Sequence, residues 1–257
     1  MLRDDGVGYG DYLEQITYLI FLKMAFEYSQ PPYKRDVGIP AKYNWQSLTD
    51  RTGAELESHY LALLRDLSMR KGLLGQIFAK AQNKIQDPAK LSRLVAMIDE
   101  TKWTRLGVDV KGDIYEGILE KNAEDTKSGA GQYFTPRALI QAIVECVRPQ
   151  ADTLIADPAA GTGGFLLAAY SYLEKHANLN TDQKERLKKG TFFGNEIVAN
   201  PRRLCLMNLF LHGIGEMDGD SPISSDDSLV APSARKVDLV LANPPFGKKS
   251  SMTITNA

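Results

Sequence analysis

The segment from Asp157 to Phe165 places three glycines, Gly161, Gly163 and Gly164, within four positions. Glycines at this density let the backbone turn tightly and approach a ligand without interference from side chains. The spacing lacks the third glycine of a dinucleotide-binding fingerprint, and no lysine directly follows as in a phosphate-binding P-loop. Asp157 would also repel a pyrophosphate. The loop therefore favours a ligand with an amine or sulfonium charge and no phosphate, although a glycine-rich turn alone is as often structural.

Two later segments place polar groups directly after apolar runs. Glu196 follows the run 192–195, where a carboxylate can accept hydrogen bonds from both hydroxyls of a ribose; a solvated loop acid is the alternative. Asn243, Pro244, Pro245 and Phe246 follow the run 238–242. The prolines remove two backbone donors and stiffen the chain, so the Asn243 amide oxygen and the Pro244 carbonyl become fixed acceptors. Together they would bind an exocyclic amino group, while Phe246 offers a ring on which a planar base can stack.

These residues need elements that bring them together, and the second half of the chain predicts a parallel sheet. Apolar runs typical of strands alternate there with helical patterns, which is the order of a sheet covered by helices. The predicted strands are 153–156, 191–194 and 237–242, and the predicted helices are 163–175 and 202–212, with Pro201 in the first turn of the last. Because ligands bind at the carboxyl ends of such strands, the polar residues above should meet at one edge.

The first half of the chain predicts helices alone. Apolar residues recur there at helical spacing over residues 11–28, 54–69, 90–101 and 113–123. The glycine-rich stretch 128–131, between the two patterns, is expected to be a flexible joint. We therefore expect a helical domain over residues 1–127 and a second domain over residues 128–257.

Composition excludes several classes of protein. The 257 residues are 43% hydrophobic and 25% charged, values that rule out a disordered tail or a disulfide-stapled miniprotein. No apolar run approaches the roughly 18 residues that span a bilayer, and the N-terminus lacks a signal pattern, so we expect a cytoplasmic protein with no membrane partner. Cys146 and Cys205 are expected as reduced thiols, and the three histidines are scattered, so no metal site or serine–histidine relay is expected.

The charge balance limits how the chain could bind nucleic acid. Lys and Arg number 31 against 32 Asp and Glu, for a formal net charge of −1. Such a chain lacks the positive excess that drives tight, non-specific binding to phosphates. A partner would have to provide much of the affinity for DNA.

Taken together, the segments 157–165 and 243–246 resemble the amino-methylating DNA methyltransferases that use S-adenosylmethionine. The segment 129–137 is similar to the one that precedes the sheet in modification subunits of type I restriction-modification systems. Residues 2–6 and 14–19 also resemble those subunits, so the resemblance covers nearly the whole chain. It implies an N-terminal all-helical domain followed by an α/β Rossmann-like, S-adenosylmethionine-dependent methyltransferase domain.

The resemblance also implies a role for each matching residue. The segment Gln132, Tyr133, Phe134, Thr135, Pro136 and Arg137 would close over the methionine part of the cofactor. Asp157, Gly161, Thr162, Gly163 and Gly164 would line its amino-acid and sulfonium end, and Glu196 would bind the ribose. Asp227 is expected near the adenine ring of the cofactor, with Asp226 nearly as good a candidate. Asn243, Pro244, Pro245 and Phe246 would hold a target adenine flipped out of the duplex.

The implied reaction is methyl transfer to adenine N6, with cytosine N4 as the less favoured target. Methylation of a ring carbon needs a cysteine nucleophile, typically after a proline, and neither Cys146 nor Cys205 follows one. The resemblance implies DNA as substrate and, as partners, a specificity subunit, a restriction nuclease subunit and a second copy of the chain. The helical domain would dock partners and clamp DNA.

Two other functions and one structural expectation remain open. The chain is either the DNA methyltransferase subunit described above, a methyltransferase acting on a protein glutamine amide, or a non-catalytic relative that only docks partners. Eleven residues follow Phe246. Because the family's sheet normally continues for several more strands, we expect a C-terminally truncated methyltransferase domain. We further expect weak or absent methylation by these residues alone, with cofactor binding retained.

Overall fold

The computed structural model describes residues 9–106, 135–216, 219–230 and 235–244. The helices of the first part are α1 (Tyr9–Ser29), α2 (Trp45–Thr49), α3 (Gly53–Ser68), α4 (Gly72–Ile77) and α5 (Pro88–Asp99), with 3-10 turns at Ala41–Tyr43 and Trp103–Arg105. The helices predicted over 11–28, 54–69 and 90–101 are confirmed as α1, α3 and α5. The one predicted over 113–123 lies outside the described residues.

Local sequence explains where these helices begin and which face they bury. Asp87 caps α5 by accepting a hydrogen bond from the Ala89 amide at 2.8 Å, and Pro88 occupies its first turn. In α3 and α5 the apolar residues spaced three or four apart form one buried face, whereas Leu61 and Met97 lie off that face and are exposed. In α1 the five consecutive residues from Tyr18 to Leu22 are buried, so this helix is surrounded by the others.

The second part alternates helices and strands, as predicted. Its elements are α6 (Arg137–Val147), β1 (Ile155–Asp157), α7 (Gly164–His176), α8 (Thr181–Lys189), β2 (Phe192–Asn195), α9 (Ala199–Leu211), β3 (Ile223–Ser224) and β4 (Leu239–Val240). The strands form one parallel sheet in the order β3-β2-β1-β4. The three predicted strands are confirmed as β1, β2 and β4, but β4 is shorter than predicted. β3, at two residues, was not predicted because it is too short to show a periodic pattern.

Helix α9 joins the sheet to the helical part. All residues from Arg203 to Leu211 are buried, and the core forms one continuous cluster through both parts. Phe210 lies 5.5 Å from Phe21 of α1, measured between ring centroids. The guanidinium of Arg35 stacks 4.2 Å from the Phe210 ring and donates to the Phe210 carbonyl, while the Tyr28 hydroxyl donates to the Leu211 carbonyl. The predicted boundary between residues 127 and 128 lies outside the described residues and stays a prediction.

Within the described part of the chain, no helix is long and apolar enough to cross a membrane. The same residues contain no cluster of three or more histidine, cysteine or acidic side chains that could hold a metal ion.

A buried ion cluster fixes α1 against α5 and the turn that follows it. The Lys23 ammonium, almost fully buried, lies 2.6 Å from Asp99 and 3.5 Å from Glu27. Glu27 also accepts hydrogen bonds from the amide and hydroxyl of Thr104, and Asp99 accepts one from the Trp45 indole. A buried charge is tolerated only when it is paired, so removing one member should affect the whole cluster.

Replacing Lys23 by methionine keeps the apolar stem and leaves the buried Glu27 carboxylate without its cation. We expect the free energy of unfolding to fall by about 3 kcal/mol, measured by urea denaturation. Lys42→Met is the matched control, because Lys42 is 67% exposed and its pair with Asp66 should contribute less than about 1 kcal/mol. Equal effects of the two substitutions would contradict a stabilising role for the cluster.

Candidate functional site

The parallel sheet brings the predicted site residues to a single edge. All four strands run in the same direction, so their carboxyl ends lie side by side. The loop that begins at Asp157 follows β1, Glu196 follows β2, Asp226 and Asp227 follow β3, and Asn243 follows β4. This edge is therefore the candidate site.

The glycine loop between β1 and α7 adopts backbone angles that favour glycine. Gly161 has φ +54° and Gly163 has φ +87°, both in the left-handed region. A Cβ atom at Gly163 would lie 2.8 Å from the Cys205 sulfur of α9, whereas one at Gly161 would meet nothing within 4 Å. The loop is thus closed against α9 on one side and open at Gly161, where a ligand can approach the backbone.

Glu196 holds the glycine loop against the end of β2. Its Oε2 accepts a hydrogen bond from the Gly161 amide at 2.9 Å, and its Oε1 accepts one from the Val198 amide at 2.8 Å. Its own amide donates to the Ser224 carbonyl at 2.9 Å, which fixes it to β3. Each carboxylate oxygen keeps a second lone pair for a ligand hydroxyl. Glu196 therefore shapes the loop, a contact that the sequence did not predict, and remains able to accept from a ribose.

Asp157 is a buried acid beside the loop. Its side chain is 2% exposed, and its Oδ1 accepts a hydrogen bond from the Ala159 amide at 2.9 Å. Burial raises the pKa of this carboxyl to about 7; the negative charge of Glu196 adds to the rise and the Ala159 amide opposes it. A cation placed beside Asp157 would favour its ionised form.

The segment after β3 forms the end of the candidate site next to β2, on the side away from β1. The Ser228 hydroxyl donates to the Pro158 carbonyl at 2.7 Å, which ties this segment to the glycine loop. Asp226 is exposed and accepts from the Ser224 hydroxyl, while Asp227 is half-buried and accepts from the Leu229 amide. Asp227 is therefore the less exposed of the two acids, and its position near the adenine ring of a cofactor stays a prediction.

Two aliphatic side chains at this edge were missed by the sequence analysis. Ile197 directly follows Glu196 and is 53% exposed, and Leu229 is 94% exposed in the segment after β3. Exposed apolar side chains on neighbouring loops are suited to the two faces or the rim of a flat ring. The signal available in the sequence was an aliphatic residue placed just after each strand-end acid.

Asn243 and Thr135 belong to different motifs, 108 residues apart, and the structure brings them together. The Asn243 amide nitrogen donates to the Thr135 hydroxyl at 2.9 Å. Because the donor half of the amide is used in this way, the Asn243 oxygen is free to act as the acceptor. Pro244 is exposed beside it.

The remaining predicted residues are either placed elsewhere or lie outside the described residues. Pro136 precedes α6, and Arg137 begins this helix and lines a groove of about 350 Å³ between α6 and α7 that also reaches Gly164. Gln132, Tyr133, Phe134, Pro245 and Phe246 lie outside the described residues. Their roles stay predictions.

A parallel sheet with a glycine loop after its first strand, an acid after its second and an Asn-Pro pair at this edge defines the class of Rossmann-like methyltransferase folds. The family model for N-6 DNA methylase matches residues 107–257, and the model for the HsdM N-terminal domain matches residues 1–98. The chain belongs to the N-6 DNA methylase family.

Several similar proteins are named as methylase or modification subunits of type I restriction enzymes. The chain is 39% identical over 266 residues to the type I restriction enzyme StySPI methylase subunit of Salmonella potsdam, and 38% identical to the EcoKI methylase subunit of Escherichia coli K12; each alignment covers 99% of this chain and 50% of the relative. A crystal structure of a modification subunit of a candidate type I restriction enzyme from Vibrio vulnificus YJ016 has a TM-score of 0.80 at 25% identity, covering 96% of this chain and 58% of that one. The chain spans about half the length of the curated relatives it matches.

The raised pKa of Asp157 predicts a pH-dependent stability. The unfolded carboxyl titrates near 3.8 and the folded one near 7, so the folded state holds the proton more tightly. The free energy of unfolding should therefore fall as pH rises between these values, by up to about 4 kcal/mol. We expect Asp157→Asn to remove most of this slope in urea denaturation at pH 5, 6, 7 and 8. The exposed Asp152→Asn is the control, and a slope equal in both variants would refute the assignment.

Proposed function

We propose that this chain is the methyltransferase subunit of a type I restriction-modification complex and transfers the methyl group of S-adenosylmethionine to adenine N6 in duplex DNA. The observation that carries the proposal is the Asn243–Thr135 hydrogen bond, which leaves an amide oxygen as acceptor at the sheet edge that also holds the glycine loop. The family membership and the names of the relatives support it.

The residues at the sheet edge fit S-adenosylmethionine. At Gly161 the open side of the loop lets a ligand approach the protein main chain. The buried carboxyl of Asp157, whose pKa is raised to about 7, favours a ligand that is cationic. Glu196 retains lone pairs for the ribose hydroxyls, and Ile197 and Leu229 offer apolar contacts for the adenine ring. When bound, the cofactor supplies an activated methyl group on a positively charged sulfur.

Asn243 and Pro244 would act on the amino group of the target. The nitrogen lone pair of adenine N6 is delocalised into the ring and is a poor nucleophile. Hydrogen bonds from the two N6 hydrogens to the Asn243 oxygen and the Pro244 carbonyl would favour a more tetrahedral nitrogen, whose lone pair would be free to attack the methyl carbon in line. The new N–C bond would form as the bond between that carbon and the donor's sulfur breaks, and the amine would then lose one proton. Burial raises the pKa of the Cys205 thiol, so this residue is a neutral packing group and no covalent intermediate on cysteine is invoked.

The charge balance and the names of the relatives support a proposed assembly with other subunits. A net charge of −1 gives little non-specific affinity for DNA, so we assign recognition of the DNA sequence to a specificity subunit and cleavage to a nuclease subunit, with a second copy of this chain in the complex. Residues 1–127 would form the docking and clamping domain and residues 128–257 the methyltransferase domain. Because such a complex acts on chromosomal DNA, we assign the chain to the cytoplasm.

The assignment of Glu196 predicts its effect on cofactor binding. Glu196→Gln keeps an oxygen for the Gly161 amide but places an NH₂ group where the second acceptor was. We expect the Kd for S-adenosylmethionine to rise about tenfold or more in calorimetric titration, since hydrogen bonds to a charged group are lost. Glu185→Gln is the matched control, because Glu185 is an exposed carboxylate on α8, which leads into the opposite end of β2. Failure of the folded wild-type chain to bind, or stronger binding of NAD, would contradict the cofactor assignment.

Asn243 should separate catalysis from cofactor binding. In the complex with the specificity subunit, we expect Asn243→Ala to reduce methyl transfer about a hundredfold or more, because a group that acts in the transition state is lost. The Kd for S-adenosylmethionine should change less than about threefold. The same reaction, run with S-adenosylmethionine labelled in its methyl group, identifies the substrate as the molecule that receives the label.

Label in DNA as N6-methyladenine supports the proposal, and label in protein supports the glutamine methyltransferase instead. Cofactor binding without any transfer by the complex would support the non-catalytic docking relative. Asn178→Ala, at an exposed site between α7 and α8, is the control for the asparagine substitution.

A further inference from the structure

Helix α9 buries a polar amide against the glycine loop. Asn208 is 2% exposed, and its amide nitrogen donates to the Thr162 carbonyl at 3.3 Å. Its amide oxygen is buried without a hydrogen-bond partner among the described residues. A buried acceptor left unpaired is unfavourable, and a leucine would fill the same space without this penalty. The presence of asparagine at this position indicates that the hydrogen bond from its amide nitrogen to the Thr162 carbonyl has a role.

Cys205 belongs to the same face of α9. It lies three residues before Asn208, so the two side chains are neighbours on the helix. The Cys205 sulfur leaves no room for a side chain at Gly163, while Asn208 binds the carbonyl of the preceding residue. One face of α9 therefore contacts two consecutive residues of the loop, first through packing and then through a hydrogen bond.

Two side chains hold the part of the loop that contains Gly161 and Thr162. Glu196 accepts from the Gly161 amide, and Asn208 donates to the Thr162 carbonyl. Thr162 lies between two glycines with positive φ, whose backbones have wide conformational freedom. The orientation of the peptide group after Thr162 is therefore not set by the neighbouring residues, and the Asn208 hydrogen bond selects one orientation.

We propose that Asn208 is a positioning residue for the amino-acid end of the cofactor site. By fixing the Thr162 carbonyl, it sets the loop and the first turn of α7, which the ligand's amino-acid portion must contact. The identity of the ligand rests on the proposed function, but the effect of Asn208 on the loop does not.

The test uses a variant that keeps the volume of the side chain and removes its donor. In Asn208→Leu, we expect the Kd for S-adenosylmethionine to rise about tenfold and that for 5′-methylthioadenosine to change less than about threefold. The second ligand has the adenosine part but lacks the amino acid and the sulfonium charge. Met207→Leu, a substitution of similar volume at the next position of α9, should change neither Kd.

Hydrogen exchange provides a second measurement that needs no ligand. The Gly163 amide, which donates to the Ala160 carbonyl at 2.7 Å within the loop, should exchange about tenfold faster in Asn208→Leu, while the amides of α9 keep their rates. Equal weakening of both ligands, no change in either Kd, or unchanged Gly163 exchange would overturn the proposal. If the wild-type chain binds neither ligand, the proposed function fails, and the exchange rates alone decide the role of Asn208.

Discussion

The burial of α9 between the two parts of the chain is the constraint on which the rest of the structure depends. Arg203 and Phe210, seven residues apart and so on one face, contact the helical part: Arg203 pairs with Glu14 and donates to the Ala79 carbonyl, and Phe210 packs on Phe21 and Arg35. Another face carries Cys205 and Asn208 against the glycine loop. The loop can keep its shape only while the helical part holds α9 in place.

The electrostatics of the sheet edge complement this packing. Asp157 and Glu196 lie close enough to influence each other, and both take their hydrogen bonds from backbone amides. The two carboxyl groups therefore favour a cationic ligand, which would oppose the two causes that raise the pKa of Asp157, its burial and, to a lesser extent, the negative charge of Glu196. The chain as a whole is nearly neutral. In the proposed function, this edge supplies the affinity for the cofactor, whereas much of the affinity for DNA comes from other subunits.

The sequence predicted several of the elements with strong periodicity, and it predicted which polar residues follow the strands. The predicted apolar face of α3, from Leu56 to Leu67, is buried as the helical spacing requires, whereas Leu61 lies off that face and is 48% exposed. The helices α2 and α4 and the strand β3 were missed because five, six and two residues show no clear period, and α8 was not predicted as a separate helix because its nine residues are almost all polar. The eleven residues of α6 were also not predicted, although their apolar members recur at helical spacing. Asn208 gave no signal because its sequence neighbours are apolar, and its partner Thr162 lies 46 positions away. Pairing across such a distance depends on the tertiary fold.

The Thr135–Asn243 hydrogen bond connects the segment proposed to bind the cofactor with the segment proposed to bind the target base. Thr135 belongs to the segment assigned to cover the cofactor, and Asn243 begins the segment assigned to hold the target amine. The oxygen and the nitrogen of an asparagine amide point in different directions, so a hydrogen bond from the nitrogen also fixes where the oxygen points. The position of Thr135 therefore sets the direction of the Asn243 oxygen. In the proposed function, a movement of the cofactor segment would turn the acceptor for the target amine, so that cofactor and base cannot be positioned independently.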